Sequence, residues 1–564
     1  MEYPYQRFRR QVADQVAEMA RQRYGYTGDI KLEEPVEAEM GDVAFPCFPL
    51  AARAKKAPAA IADELAGDIS GEWIGHVEAV NGYVNCFIDE KRLAARLPPQ
   101  VLEMDERYGA GESRRESVIV EHTSANPNGP LHVGRGRNPM LGDTLARIFR
   151  FAGYDVETQF YLDDMGKQVA ILAWGLEHLE LAPDAAKPDH RSVVFYQEAN
   201  RRMEEDTQVG EAIEELIRHG EQGDMETLER MEAAYRPVLD GIMQTLSRIN
   251  ISIDSFIRES RFVLDGAVSD VIDRLSETSY AARDDDAFYL DLSSFDIHGR
   301  NQRFYLTRRD GTSLYATRDV AYHLWKGRQA DRLVNVLGED HRLEARQVEI
   351  ALSLLDAPSP LSVFYSFVSM PEGKMSTRRG RVVYLDDLLD EAVIRAYREV
   401  QKRRNLPEEQ ARAIAEKVGT GAVRYNILKV SPEKAITFRW EEALNFEGQS
   451  APFIQYAYAR CCSILEKTDT TPDVDSGYGH PEETALLKTI ARFPDVVTHC
   501  RERCSPAGLA EYAHELASRF NGFYRDCRVI GDEREAARLA LVDASRITLH
   551  NALELLGIMP LPEM

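Results

Sequence analysis

The stretch from Ser117 to Leu162 constrains the fold more than any other part of the chain. Ser117-Val-Ile-Val is a short apolar run and predicts a buried strand. The segment Glu121-His-Thr-Ser-Ala-Asn-Pro-Asn-Gly-Pro-Leu-His-Val-Gly-Arg135 follows it as a loop. Leu141, Leu145, Ile148, Phe149 and Ala152 then recur at helical spacing, Gly153 closes the helix, and Val156 to Leu162 predicts a second strand. The loop is therefore the first crossover turn of a strand–helix–strand unit, and the expected class is α/β. Its end lies at a helix N-terminus, where free N–H groups and the helix dipole attract phosphate. Gly129 and Gly134 let a ligand come close to the backbone.

Two short segments carry a resemblance. His132-Val-Gly-Arg135 is similar to the His-Ile-Gly-His signature of class I aminoacyl-tRNA synthetases. Lys374-Met-Ser-Thr-Arg378, about 240 residues later, is similar to their second signature, Lys-Met-Ser-Lys-Ser. The run Ala125-Asn-Pro-Asn-Gly-Pro-Leu-His132 narrows the resemblance to the arginyl-tRNA synthetases, and it extends over nearly the whole chain. It implies a class I Rossmann catalytic core with a connective insertion, an N-terminal α+β extra domain and a C-terminal α-helical bundle. It also implies ATP-dependent ligation of L-arginine to tRNA(Arg) through arginyl-adenylate. Magnesium would arrive with ATP, held mainly by phosphates and water, with no tightly bound protein-ligated metal.

Composition sets the outer limits. A chain of 564 residues suggests three or four domains. It has no run of about 18 apolar residues, so no membrane span is expected. Met1 to Arg21 is polar and charged, unlike a secretory signal. Seven scattered cysteines without a Cys-x-x-Cys pair fit reduced thiols and a cytoplasmic protein. His499, Cys500 and Cys504 lie close in sequence, but helix-face core residues are the commoner reading and no fourth zinc ligand stands near them. The net charge is −24, against the usual basic balance of nucleic-acid binders. Of 69 basic residues, 14 are Lys and 55 are Arg. Acid-rich, Lys-poor composition resembles proteins of high-salt cytoplasm. The halophilic reading makes the acidic surface a solvent adaptation, with local Arg-rich patches left for tRNA. The bland alternative is an acidic chain that binds no nucleic acid.

Taken in order, residues 1–113 predict an α+β module. Phe8, Val12, Val16 and Met19 mark an opening helix, Leu50 to Leu65 a helix interrupted near Pro58, and Tyr83 to Ile88 a strand. Leu97-Pro-Pro to Gly111 is expected to be a linker. By resemblance the module meets the tRNA elbow. Residues 114–445 are the expected catalytic domain, with an insertion at about 166–300, the second signature at 374–378 and a helical stem at 386–445. Within the stem, Leu406-Pro-Glu-Glu409 is expected to open one helix and Gly419 to Leu428 another. Residues 446–564 are the expected helical anticodon-binding domain, where Tyr456, Arg460, Asn521, Tyr524 and Arg525 offer cations and aromatic faces to unstacked bases.

Adenylation places negative charge on the α-phosphate and on the leaving pyrophosphate, so it needs placed donors and cations. His132, Lys374 and Ser376 are the expected donors, with Arg135 and Arg378 beside them as cations or as plain surface charge. Thr377 stands where the second signature has its second Lys, so the clamp falls to Lys374, Arg378 or Arg135. Pro130, His132, Gly134, Met375, and Gly338, Asp340 and His341 after the strand Leu333 to Leu337, complete the expected ATP site. Arginine's forked guanidinium calls for carboxylates. Glu121 closes the first strand, and Tyr315-Ala-Thr-Arg-Asp319 resembles the family's Tyr-x-Thr-Arg-Asp. By resemblance Tyr315 packs on the guanidinium, Asp319 pairs with it, and Asn126 holds the amino end. Ser124, His132 and Glu339 complete the arginine set. The expected protein is a monomer whose partners are tRNA(Arg), L-arginine and ATP. The alternatives are another class I synthetase and an inactive relative that binds tRNA as a module.

Overall fold

The structure is a computed structural model and describes residues 2–35, 37–297, 302–370, 383–404, 406–474 and 477–564. Helix α1 (Pro4–Tyr24) buries Phe8, Val12, Val16 and Ala20 on one face. They share a core with the antiparallel strands β1 (Val43–Pro46), β2 (Ile74–Val80) and β3 (Tyr83–Ile88), β3 being central. Asn81 and Gly82 both have positive φ, as the two-residue turn between β2 and β3 requires.

The expected linker is instead mostly helix α2 (Glu90–Met104), capped by the Asp89 carboxylate on the Arg92 N–H. Leu93, Leu97 and Val101 form a buried stripe on it. Pro98 and Pro99 cannot bond the carbonyls of Ala94 and Ala95, residues that are half-buried and exposed, so solvent can meet those carbonyls and the prolines are tolerated.

The parallel-sheet core follows. Strand β4 (Ser117–Glu121) runs through the signature loop into α3 (Arg137–Phe151) and returns as β5 (Asp155–Leu162). The connective helices are α4 (Lys167–His178), α5 (Pro188–Glu205), α6 (Thr207–Glu221) and α7 (Met225–Arg248). Strand β6 (Ser255–Arg258) pairs with β5 in parallel, so the stretch assigned to the insertion contains a strand of the parent sheet. A small antiparallel sheet of β7 (Ala281–Asp284), β8 (Ala287–Asp291) and β9 (Arg303–Tyr305) comes next. Helix α8 (Tyr315–Lys326), β10 (Arg332–Gly338), α9 (Arg342–Leu354) and β11 (Leu361–Tyr365) close the core. The sheet is parallel throughout, in the order β11-β10-β4-β5-β6. The chain leaves β4 toward one edge and β10 toward the other. A crevice therefore opens at their carboxyl ends, where sheets of this kind bind ligands.

Short strands β12 (Val368–Ser369) and β13 (Ile436–Thr437) pair in parallel beside the core. The stem is α10 (Leu385–Arg403) and α11 (Glu408–Leu428). The two helices expected at 406 and 419 are one. Gly419 lies mid-helix, where a Cβ would come within 2.8 Å of the Ala392 backbone, so this glycine serves close helix packing and ends nothing. Helices α12 (Ala451–Leu465), α13 (Pro481–Ala491), α14 (Phe493–Arg503), α15 (Ala507–Asp526) and α16 (Glu535–Leu555) form the terminal bundle.

Two buried guanidiniums join these parts. Arg137 is fully buried and donates to the carbonyls of Ser366, Val430, Ser431 and Lys434 at 2.6–2.9 Å. Arg424 of α11 pairs with Asp143 of α3, and it donates to Thr144 Oγ1 at 3.1 Å and to the carbonyls of Ile249 and Leu556. Gly557 has φ +66°, and a Cβ there would fall 2.2 Å from Arg424 Cζ. Removing the Arg424 cation leaves Asp143 buried with Arg147 (2.8 Å) as its one ion-pair partner among the described residues. Arg424→Met should therefore cost about 3–5 kcal/mol in urea unfolding. A loss under about 1 kcal/mol would show that the hub carries no weight.

Candidate active site

The crevice is set by one amide. Asn138, near the start of α3, accepts from the Thr123 N–H at 2.6 Å and donates to the Val336 carbonyl of β10 at 2.8 Å. It ties the exit of β4 to the neighbouring strand. Thr123 and Ser124 have φ +69° and +36°, two consecutive side-chain-bearing residues in the left-handed region. Such backbone is held against its preference by its surroundings. Here the Ser124 hydroxyl donates to Glu121 Oε1 at 3.2 Å and accepts from the Tyr161 N–H at 3.0 Å.

The signature loop sits at the mouth. His132 caps the short turn Val133–Arg135, its Nδ1 accepting from the Gly134 N–H at 2.9 Å. The ring's proton is therefore on Nε2, which makes His132 an outward donor. Burial and then the Arg135 charge hold its pKa below the ordinary value, so the ring stays neutral. Arg135 Nη2 reaches Asp340 at 3.3 Å, joining the first signature to the Gly338–His341 turn at the end of β10. Glu339 in that turn accepts from the Ser366 hydroxyl at 2.6 Å. Pro130 and Gly134 are buried in the loop, and Asn126 is exposed on it.

Lys374, Met375, Ser376 and Arg378 lie outside the described residues. The chain on either side of them is placed. Val133 donates to the Val383 carbonyl at 3.0 Å, and Leu385 donates to the Leu131 carbonyl at 2.7 Å. The chain from Val383 to Leu385 thus lies directly against the first signature.

The carboxylates expected to read a guanidinium belong to one buried network. Glu121 Oε2 accepts from Lys326 at 2.6 Å, and Lys326, itself fully buried, donates to Asn335 Oδ1 at 2.9 Å. The Asn335 amide donates to His323 Nε2 at 2.7 Å, which leaves the proton on Nδ1 to face Asp319 at 3.1 Å. Burial pushes the Asp319 carboxyl up, and His323 and Lys326 outweigh it, so Asp319 is held below its usual range. Glu121 already has a full cationic partner, whereas Asp319 remains partly open. Tyr315 is 56% exposed, and its ring centre lies 6.4 Å from that of the buried Tyr161.

One residue escaped the sequence reading. Glu259 directly follows β6 and is fully buried. Its Oε1 accepts from Arg318 at 2.5 Å, while its Oε2 has no hydrogen-bond partner among the described residues. The buried Tyr161 hydroxyl likewise has none, and the charges of Glu259 and Asp319 both act on it. Burial and Asp163 push Glu259 up to about 8, against the pull of Arg318. The available signal was Ser255-Phe-Ile-Arg258 followed by an acid, a strand ending in a carboxylate as at Glu121; the stretch was absorbed into the insertion.

The profile described as tRNA synthetases class I (R), catalytic domain, matches residues 98–440. The arginyl tRNA synthetase N terminal domain matches 6–88, and the DALR anticodon binding domain matches 454–564. The chain belongs to the arginyl-tRNA synthetase family. It is 48% identical over 550 residues to the arginine–tRNA ligase of Methanocella arvoryzae, covering 96% of each chain. It is 46% identical to that of Methanothermobacter thermautotrophicus, covering 94% of each. Its fold matches the arginyl-tRNA synthetase of Thermus thermophilus with a TM-score of 0.84, at 29% identity and 99% coverage of both chains.

In the DALR region of this family member, Arg460 lies between two exposed rings, 4.8 Å from Tyr456 and 4.7 Å from Tyr524, and donates to Asn521. Arg525 stands apart from them, paired with Asp526 at 2.7 Å. His499 is exposed, whereas Cys500 and Cys504 are buried in the helical core. Among the described residues one group has metal-ligand spacing, Asp189, His190 and Asp386, and the Lys187 ammonium already bonds both carboxylates at 3.1 and 2.7 Å. No helix among the described residues is long and apolar enough to cross a membrane.

The His132 tautomer gives a pH test. Protonation would abolish acceptance from Gly134, and the lowered pKa moves that event below the ordinary histidine range. Pyrophosphate exchange should hold its rate down to about pH 6.5 and fall below it. A fall already complete at pH 7 would contradict the assignment.

Proposed function

We propose that this chain activates L-arginine with MgATP and transfers the arginyl group to tRNA(Arg), acting as a cytoplasmic monomer. Its units are 1–113 for the tRNA elbow, 114–445 for chemistry and 446–564 for the anticodon. The observation that carries the substrate assignment is a pair of buried polar atoms beside Asp319, Glu259 Oε2 and the Tyr161 hydroxyl, that lack partners among the described residues and mark the proposed guanidinium recess. A forked cation is the ligand that satisfies two carboxylates at once. Tyr315 packs over its plane at the opening, and Ser124 and Asn126 meet the amino acid's near end.

ATP lies across the switch point. Its adenosine rests on the Gly338–His341 turn and its phosphates on Pro130, His132 and Gly134. His132 Nε2–H donates to the α-phosphate as charge builds there. Lys374, Met375 and Ser376 of the second signature also bind ATP, and the pyrophosphate clamp falls to Lys374, Arg378 or Arg135. The carboxylate of arginine attacks the α-phosphorus and pyrophosphate leaves. The 3′ end of the tRNA then takes the arginyl group from the adenylate. Tyr456, Arg460, Asn521, Tyr524 and Arg525 meet unstacked anticodon bases. The reading as an inactive tRNA-binding module has no observation in its favour.

Asp319→Asn and Glu259→Gln should each lower kcat/KM for arginine by roughly 10²–10³-fold, a loss of several kcal/mol from a buried charge pair. Aminoacylation kinetics check this, and a change under tenfold in both would remove the recess as the guanidinium site. The pH dependence has a definite sign. The Glu259 carboxyl is raised to about 8, so in the free protein it is protonated below that value and must ionise to pair with a guanidinium. Arginine affinity should tighten from pH 7 to pH 9; flat or weakening binding by calorimetry would contradict this. The charge of −24 supports a high-salt optimum. Activity should peak above about 0.2 M KCl, where surface repulsion is screened, and a peak below it would end the halophilic reading.

A further inference from the structure

Arg318 is 4% exposed and bridges two carboxylates. Its Nη1 donates to Glu259 Oε1 at 2.5 Å and its Nη2 to Glu221 Oε1 at 2.5 Å. Its Nε and Nη2 also reach the Ser313 hydroxyl and carbonyl at 3.1 Å, so every part of the guanidinium is engaged. Glu221 is the last residue of α6, in the connective insertion, and its side chain is 7% exposed. A carboxylate is the unfavourable residue at a helix C-terminus, where the dipole is negative and a cation is preferred. Glu221 nevertheless sits there, buried, and Arg308 also reaches it at 3.1 Å. Arg308 is 45% exposed and so contributes less than the buried Arg318.

The charges explain this arrangement. The substrate's guanidinium must enter beside Arg318, which carries the same sign and adjoins Asp319 in the chain. If Arg318 were balanced by Glu259 alone, Glu259 would be spent on an internal partner and the uncompensated arrangement would repel a cationic ligand. With Glu221 taking up the Arg318 charge, Glu259 keeps its unbonded Oε2 for the substrate and the negative charge it gains on ionising is left to the arriving guanidinium.

We infer that Glu221 is a specificity-determining positioning residue: from the insertion, it neutralises Arg318 so that Glu259 is left to the substrate's guanidinium. This rests on the reading that Glu259 holds that guanidinium. It also links the two regions. Because α6 supplies the balancing charge, the seating of the insertion sets arginine affinity, and by reciprocity bound arginine favours the seated insertion.

The test uses the full-length enzyme and compares arginine with citrulline, its neutral isostere, in pyrophosphate exchange. Glu221→Gln should raise the arginine KM about tenfold, change kcat less than about threefold, and leave the inhibition constant of citrulline unaltered, because only a cation feels the unbalanced Arg318. A merely structural role would weaken both ligands. Arg308→Gln, at a half-exposed position, frees Glu221 to serve Arg318 alone and should lower the arginine KM roughly two- to threefold; it decides the matter even if Glu221→Gln does not fold. Glu259→Gln is the control. If it raises the arginine KM while Glu221→Gln leaves it unchanged or weakens citrulline equally, or if Arg308→Gln raises it, the inference is overturned and the guanidinium reading stands. If Glu259→Gln leaves the arginine KM unchanged, the reading beneath the inference fails, and the inference with it.

Discussion

The Asn138 amide bonds the Thr123 N–H on one side and the Val336 carbonyl on the other, and nearly every feature of the site depends on that double contact. A parallel sheet opens a crevice wherever its connections diverge, but an opening alone does not place ligands. Asn138 fixes how the β4 exit leaves the sheet, and so fixes the left-handed turn at Thr123 and Ser124. Ser124 in turn holds Glu121 and the backbone of Tyr161. The donors of the loop and the acids of the recess thereby share one frame.

Around that frame, the larger units are joined by buried arginines and not by apolar contact alone. A buried guanidinium without water must find acceptors for its donors. Arg137 finds them for both terminal nitrogens in backbone carbonyls, its Nε alone being without a partner among the described residues, and Arg424 finds them in backbone carbonyls, Thr144 and Asp143, all drawn from segments far apart in sequence. The first signature, the stem, the end of the insertion and the last helix of the bundle are linked through them. Arg318 obeys the same rule, bonded to Glu259 after β6 and to Glu221 at the end of α6, so the connective helices and the parent sheet meet through one buried cation.

Local patterns carried much of this into the sequence. Apolar runs and helical spacing marked β4, α3 and β5, because strand and helix periods differ and Gly153 punctuates them. Glu121 and the Gly338–His341 turn were legible as polar groups at strand ends. The Lys326–Asn335–His323 chain was not, since its members meet only after α8 folds back on the sheet. Glu259 was missed because β6 has four residues and follows a long helical excursion, so its tie to β5 is a long-range fact. Pro98 and Pro99 read as a linker, and Gly419 as a helix start. Each is decided by what lies beside it, solvent for the unbonded carbonyls of α2 and the Ala392 backbone for Gly419.

The most direct test of the account is a crystal structure of the full-length enzyme bound to a non-hydrolysable arginyl-adenylate analogue. The account places the guanidinium between Glu259 Oε2 and Asp319 with Tyr315 over its plane, the phosphate within hydrogen-bonding distance of His132 Nε2, and the adenine on the Gly338–His341 turn. A guanidinium seated away from Glu259 and Asp319, or an analogue bound outside the β4–β10 crevice, would contradict it.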